Sequence, residues 1–401
     1  MQNQRLINMT SEKSYIFCYH PTYTDLPDSV TMLRMSRSKD SENSHIPSFR
    51  PQSCQNSLPK LTKVSTAKPA RQQIGGRPNP ALMKQTTHHP DRRELLDELW
   101  AIQLEERHIS DQAIWKLAQK YSLSWVEVEG VVSFYHFFHR EPAGQFTIYL
   151  NNSITAEYSG LAEVTAAFEE ATGARLGQTD PTGTFGLFET SCIGLSDLEP
   201  AALINFHPFT QLTPQKAKAI IWQLRRGRPV ELLADDIPQH IQQPLPPEKA
   251  VLLRPFVPGQ SLAPLQKLSP EDALQQMEAS GLRGMGGAFF PVGKKWRLCR
   301  EQPEAEKYIL CNADEGEPGT FKDRMLLQYL PELVIEGMIQ AAYATGAAEG
   351  WIYLRGEYRW LLPRLEEAIA HYYRSGWLGD QIQALEPFRF DLYVQLGGGA
   401  Y

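Results

Sequence analysis

The sequence predicts an α/β protein built in two unlike halves behind an unstructured arm. Three observations carry this reading. Apolar residues recur at helical spacing between residues 91 and 134; the order then becomes β-α-β-β-α up to residue 227; and from residue 269 onward strands alternate with helical stretches. A length of 401 residues suits two or three domains at roughly 100–200 residues each.

Each element has a local reason. Leu95, Leu96, Leu99, Trp100 and Ile102 form a helical stripe. Ser110 is placed to cap a second helix carrying Ile114, Trp115 and Leu117. Ser124 and Glu127 make a capping box that opens a third, apolar through Val131, Val132 and Phe134. The period then changes, and Gln145–Leu150 reads as a strand. Leu161–Thr172 reads as a helix stopped by Gly173. Phe185–Glu189 and Ala201–Phe206 read as strands, and Thr213-Pro214 starts a helix that ends at Gly227. This order is that of a small thioredoxin-like sheet whose two C-terminal strands form a hairpin. Residues 228–268 are rich in Pro and Gln and read as a linker with one short helix. Ser269, Pro270 and Asp272 open a new capped helix, followed by strands near Tyr308–Cys311, Trp351–Leu354 and Phe390–Leu396.

Composition excludes several function classes. The chain holds 40 Lys+Arg against 46 Asp+Glu, a net charge of -6, which argues against a nucleic-acid binder. Hydrophobic residues make up 42%, enough for real cores. No apolar run reaches the roughly eighteen residues of a membrane span, and no basic-then-apolar leader opens the chain. Cys18, Cys54, Cys192, Cys299 and Cys311 form no CxxC pair, so neither a zinc ribbon nor a complete cysteine-ligated cluster motif is present. A reducing cytoplasm is the expected location. Residues 1–90 carry 12 Lys+Arg and 5 Asp+Glu without sustained periodicity, so they are expected to be a disordered extension, with Met83 as a plausible start. His88 and His89 make no metal pattern with any cysteine.

Two segments carry chemistry. Gly281, Gly284, Gly286, Gly287 and Gly293 crowd one loop, with Lys294 and Lys295 beside it. Bare N–H groups in such a loop can cradle phosphate, and glycine lets a ligand approach the backbone. The segment follows a helix and not a strand, so it is no Rossmann fingerprint. Alone, it is as compatible with an ordinary mobile loop. The strand Tyr308–Cys311 runs into Asn312, Asp314, Glu315 and Glu317. Ligands of α/β sheets bind beyond the carboxyl ends of strands. Those acceptors suit ribityl or ribose hydroxyls or a ring N–H; a solvated acidic turn is the plainer alternative.

Together the segments resemble the NADH- and FMN-binding region of the 51-kDa-type flavoprotein subunit of complex I. The family pattern GRGGAGFPTGLKW is approximated from Gly284 to Trp296, and CNADEGEPGTFKDR stands letter for letter from Cys311 to Arg324. Arg355–Tyr358 and Gly397–Tyr401 resemble the family's RGEY and GAGAY. Residues 91–228 resemble the small thioredoxin-like partner subunit, normally a separate chain. A fusion of the two, with the run Cys192–Pro200, is most similar to the diaphorase (alpha) subunits of soluble NAD-reducing nickel–iron hydrogenases; beta subunits of NAD-dependent formate dehydrogenase are the runner-up. The implied architecture is a helical segment plus thioredoxin-like domain over residues 91–227, a linker over 228–268, and the N-terminal part of a complex I 51-kDa-type FMN- and NAD-binding α/β domain over 269–401.

The resemblance implies site residues. Gly284, Gly286, Gly287 and Lys295 would line FMN and its phosphate; Asn312, Asp314 and Glu315 would hold ribityl or ring edges, with Tyr401 at the same site; Phe290 and Glu317 would face NAD(H). No side chain is needed as acid or base, because the cofactor carries the redox chemistry. The departures are equally specific. The small partner's four cluster cysteines correspond to Asn151, Ala156, Cys192 and Ser196, so no 2Fe-2S cluster and no protein-held metal are expected, and Cys192 should be a small buried residue. Met285, Phe289, Val292 and Lys294 replace family residues, Phe289 standing for a glycine; Leu298 stands where a second stacking phenylalanine is usual. The ligands of the family's 4Fe-4S cluster are absent, and the chain is expected to be a fragment or truncated product. An iron–sulfur diaphorase partner and hydrogenase subunits are the implied partners. The rival reading is an inactive remnant acting as an interaction module.

Overall fold

The computed structural model describes residues 94–237, 256–285, 288–380, 382, 385 and 387–399. The extension expected to be disordered lies outside them, as do Gly286, Gly287 and Tyr401.

The described residues open with three helices, α1 (Leu95–Glu106), α2 (Asp111–Tyr121) and α3 (Trp125–Phe134). Ser110 caps α2 by accepting from the Ala113 N–H, and Ser124 and Glu127 form the reciprocal capping box of α3. A five-stranded sheet follows in the order β2-β3-β1-β4-β5, made of β1 (Phe146–Asn151), β2 (Gln178–Thr179), β3 (Phe185–Thr190), β4 (Ala202–Ile204) and β5 (His207–Phe209). The helices α4 (Ile154–Tyr158) and α5 (Leu161–Thr172) lie between β1 and β2, and α6 (Pro214–Arg225) closes the unit.

Alternation along β1 builds two cores at once. Ile148 and Leu150 join Phe185, Leu187, Phe209 and the inner faces of α5 and α6. Tyr149 points the other way, into a cluster with Leu99, Trp100, Phe137, Leu203 and Phe206. The three-helix segment is therefore the second cover of the sheet, and both faces of β1 are dry.

One expectation is corrected. Phe185–Thr190 and the strand after it do not form the C-terminal hairpin. They flank β1, β3 parallel to it and β4 antiparallel. The hairpin lies wholly within Ala202–Phe209, where Asn205 (φ 48°) and Phe206 (φ 65°) turn the chain between β4 and β5.

The second half is a three-stranded parallel sheet, β6 (Tyr308–Ala313), β7 (Glu349–Leu354) and β8 (Asp391–Leu396), in that order. Before it come α7 (Pro270–Ala279) and α8 (Val292–Arg300). Between β6 and β7 run α9 (Lys322–Tyr329) and the buried α10 (Pro331–Thr345); a short 3-10 turn (Gly356–Leu361) and α11 (Leu362–Arg374) connect β7 to β8. Ile352, Leu354 and Leu392 face the helices. The other face is partly open, with Tyr308 54% and Leu310 55% exposed. The end of the stretch read as linker belongs to this core: Leu262 and Leu265 are buried in it, and Ser261 bonds to the buried Glu336 of α10.

The two halves pack directly. Trp360 touches both cores, Arg359 lies 4.8 Å over the ring of Trp100, and Gln395 of β8 donates to Asp97 of α1.

Candidate functional site

The parallel strands end side by side. Asn312 of β6 is opposite Tyr353 of β7, and Tyr353 is opposite Gln395 of β8. Gly397 returns to β7 by donating to the Leu354 carbonyl at 2.7 Å. Gly356 admits this turn, since a Cβ there would lie 2.7 Å from the Gly399 nitrogen. The rings of Tyr135 and Phe137, from the connection after α3, press on Gly398 and Gly399. The strand ends are thus floored by this half and walled by the other.

The acidic loop leaves β6 at Asn312, whose side-chain oxygen accepts from the Asp314 N–H at 3.2 Å. Asp314 and Glu317 reach solvent, while Glu315 turns inward and is buried. Loss of surrounding water, opposed by Arg355 and reinforced by Glu317, holds the Asp314 carboxyl above its ordinary value. Burial, then the charge of Asp314, pushes the Tyr353 hydroxyl up to about 12.

Glu315 is a structural anchor. Its carboxylate accepts the Asp323 N–H at 2.8 Å and the Arg324 N–H at 3.1 Å, which caps α9. It also accepts the Tyr358 hydroxyl at 2.9 Å, and its backbone carbonyl accepts from Arg355 at 2.7 Å. Protein donors occupy Glu315, against its expected role in holding ribityl or ring edges, whereas Asp314 and Glu317 face the open side.

The glycine loop joins α7 to α8. The Gly284 N–H donates to the Phe290 carbonyl at 2.8 Å and the Val292 N–H to the Leu282 carbonyl at 2.9 Å, drawing the loop into a narrow ribbon. Helix α8 begins without a side-chain cap or an acid in its first turn. Lys294 and Lys295 stand in that turn. Apart from the Val292 N–H, which Leu282 takes, a helix start without a side-chain cap and two cations behind a glycine loop have the chemistry of a phosphate cradle. The donor set of this chain thus fits a flavin mononucleotide: a cradle for the phosphate, acceptors for hydroxyls and ring N–H. Gly293 has a different task, because a Cβ there would lie 2.6 Å from the Glu278 backbone; it lets α8 pack on α7. Phe290 is 43% exposed with the Lys294 ammonium 6.0 Å above its ring, and Leu298 is also exposed.

The four positions matching the cluster cysteines hold other chemistry. Asn151 is fully buried and donates to Ser153 at 3.0 Å and to Glu199. Ala156 is buried. The Cys192 sulfur lies 3.4 Å from the Ser196 hydroxyl and accepts the Gly319 N–H at 3.3 Å. One thiol and one hydroxyl, with Asn151 and Ala156 supplying no thiolate, do not fit a two-iron cluster. Among the described residues no group of three or more His, Cys, Asp or Glu is arranged to hold a metal. No helix among them is long and apolar enough to cross a membrane.

Sequence reasoning missed Tyr135, Arg324, Arg355 and Tyr358. The last three lie inside quoted motifs, so the motif named them, but nothing in spacing gave their direction.

The fold resembles one class: a thioredoxin-like ferredoxin-type domain joined in one polypeptide to a flavin-binding domain of the complex I 51-kDa type. Residues 82–225 match the thioredoxin-like 2Fe-2S ferredoxin family and residues 277–401 match the Nuo51 FMN-binding domain. Within that class the chain is most readily compared with the alpha subunits of NAD-reducing hydrogenases. It is 44% identical over 325 residues to the NAD-reducing hydrogenase HoxS subunit alpha of Cupriavidus necator, covering 78% of this chain and 54% of that one. An NADH-quinone oxidoreductase subunit of Aquifex aeolicus is 45% identical over 142 residues, 35% of this chain and 33% of the other. The crystal structure of an NAD+-reducing nickel–iron hydrogenase in the air-oxidised state superposes with a TM-score of 0.63 at 34% identity, covering 77% of this chain and 52% of that one. The chain spans about half the length of these hydrogenase relatives.

Proposed function

We propose that this chain is the NAD(H)- and FMN-handling part of an NAD-reducing hydrogenase, a diaphorase that moves a hydride between NAD(H) and FMN. By family it is an oxidoreductase. The single observation that carries the reading is the pairing of an uncapped, dilysine helix start after the glycine loop with outward acceptors at the end of a parallel strand.

FMN, when bound, supplies the ring that takes up or releases the hydride. The chain's own residues bind and orient. Gly284 keeps the ribbon narrow, and Lys295 with the α8 N–H groups holds phosphate. Asn312 and Asp314 accept from hydroxyl or ring N–H groups. Phe290 offers a face for the adenine, and Glu317 accepts from dinucleotide hydroxyls. Similarity across both halves to a hydrogenase alpha subunit favours hydrogen over formate as the electron source. The partners are an iron–sulfur diaphorase subunit and hydrogenase subunits, in the cytoplasm.

The test is an FMN titration followed by flavin fluorescence, with Lys295→Ala beside the wild type. Loss of one phosphate-binding cation is expected to weaken FMN roughly tenfold, about 1.4 kcal/mol. Equal affinity in the two proteins, or no binding by the wild type, contradicts the assignment.

A further inference from the structure

Two buried arginines have no part in the chemistry above. Arg324 closes the acidic motif and Arg355 opens the turn after β7, and both are almost completely excluded from solvent. The guanidinium groups of both reach into the thioredoxin-like half. Arg324 donates to both carboxylate oxygens of Asp197 at 2.7 Å. Arg355 donates to the Cys192 carbonyl as well as to Glu315 and Glu357. The Gly319 N–H adds a bond to the Cys192 sulfur at 3.3 Å. Beside them, the positive φ of Gly194 (75°) and its missing Cβ leave room for the Tyr358 ring, whose hydroxyl holds Glu315. One loop, Cys192–Asp197, therefore bonds the acidic loop at Gly319 and the residues around Glu315, on both sides of Glu317.

We infer that the Cys192–Asp197 loop is a positioning element for the dinucleotide site: it holds the acidic loop so that Glu317 stands outward. The grip is built from Asp197 on Arg324, the Cys192 carbonyl on Arg355, and the Cys192 sulfur on Gly319. A segment matched to iron ligation in the ferredoxin family serves here as an arginine receptor. Removing the carboxylate that pairs with the buried Arg324 leaves an uncompensated buried charge, so the effect should be large and local. The consequence for ligand rests on the proposed function, whereas the grip itself does not.

The experiment uses the full chain and two readouts. Hydrogen exchange is followed at the amides of residues 315–324 in the wild type and in Asp197→Asn. With FMN bound, NADH kinetics are measured in parallel. The grip predicts that Asp197→Asn speeds exchange at Gly319, Asp323 and Arg324 by roughly tenfold or more. It predicts a KM for NADH raised about tenfold with kcat within about twofold, because dinucleotide binding and not the hydride step is disturbed. Unchanged exchange overturns the grip, and faster exchange with an unmoved KM overturns the positioning role. If Asp197→Asn does not fold, Cys192→Ala and Cys192→Ser decide. The serine hydroxyl can still accept the Gly319 N–H, so serine should keep the amide protected and alanine should not; wild-type protection in both overturns the inference. A wild type that fails to bind FMN sinks the proposed function, and exchange still decides the grip.

Discussion

Phe289 adopts the left-handed backbone region at φ 50°, a conformation that costs a residue with a Cβ about 1–2 kcal/mol. Its side chain is exposed, so little packing offsets that strain. Phe289→Gly is expected to stabilise the chain by about 1 kcal/mol, and Phe289→Ala, which keeps the Cβ, is expected to bring no such gain; denaturant midpoints of the three proteins check this. Glu199 makes a second residue-scale prediction. Burial, opposed by bonds from Ala201, Asn151 and Ser153, pushes its carboxyl up to about 7. A raised carboxyl favours the folded state while protonated, so its contribution is complete below the ordinary value and is lost as pH rises to about 7. Glu199→Gln should remove that slope and leave the chain more stable at pH 8 by on the order of 1 kcal/mol, allowing for solvent screening. A variant whose stability-versus-pH curve overlays the wild type would contradict the assignment. At this scale the sequence was most informative where a motif fixes a residue type, as at Asn312 and Asp314. It was least informative about direction: adjacent positions 314 and 315 are both acidic, and only the fold shows that one faces water and the other caps α9.

Elements were legible where local chemistry decides them. Ser124 with Glu127, Ser269 with Asp272, and Gly173 all mark helix ends where the sequence placed them. The β4–β5 hairpin was not legible, because its strands are three residues each and its turn falls on Asn205 and the aromatic Phe206. Ala201–Phe206 reads as one strand, apolar except for Asn205, and nothing in its pattern marks Phe206 as a turn residue. Gly293 was grouped with a ligand loop on sequence, yet its role is to let two helices touch. Gly293→Ala is therefore expected to destabilise by about 1–3 kcal/mol, through displacement of α8 from α7. A melting temperature equal to that of the wild type would remove the packing explanation.

At the scale of the molecule, the two halves form one working surface. The strand ends of the second half are walled by Tyr135 and Phe137 of the first, and the acidic loop is gripped by Cys192–Asp197. Sequence could announce both halves, because each carries its own periodicity and motifs. It could not announce their joint, since a contact between Asp197 and Arg324 spans 127 positions and leaves no spacing signature. The central claim is that this surface positions FMN and NAD(H) for hydride transfer. Its most direct test is to load the full chain with FMN without oxygen, add NADH, and follow the flavin absorbance band. The account predicts that the band bleaches as NADH is added and returns when an electron acceptor is supplied. A flavin that binds but keeps its full absorbance with NADH present would contradict it.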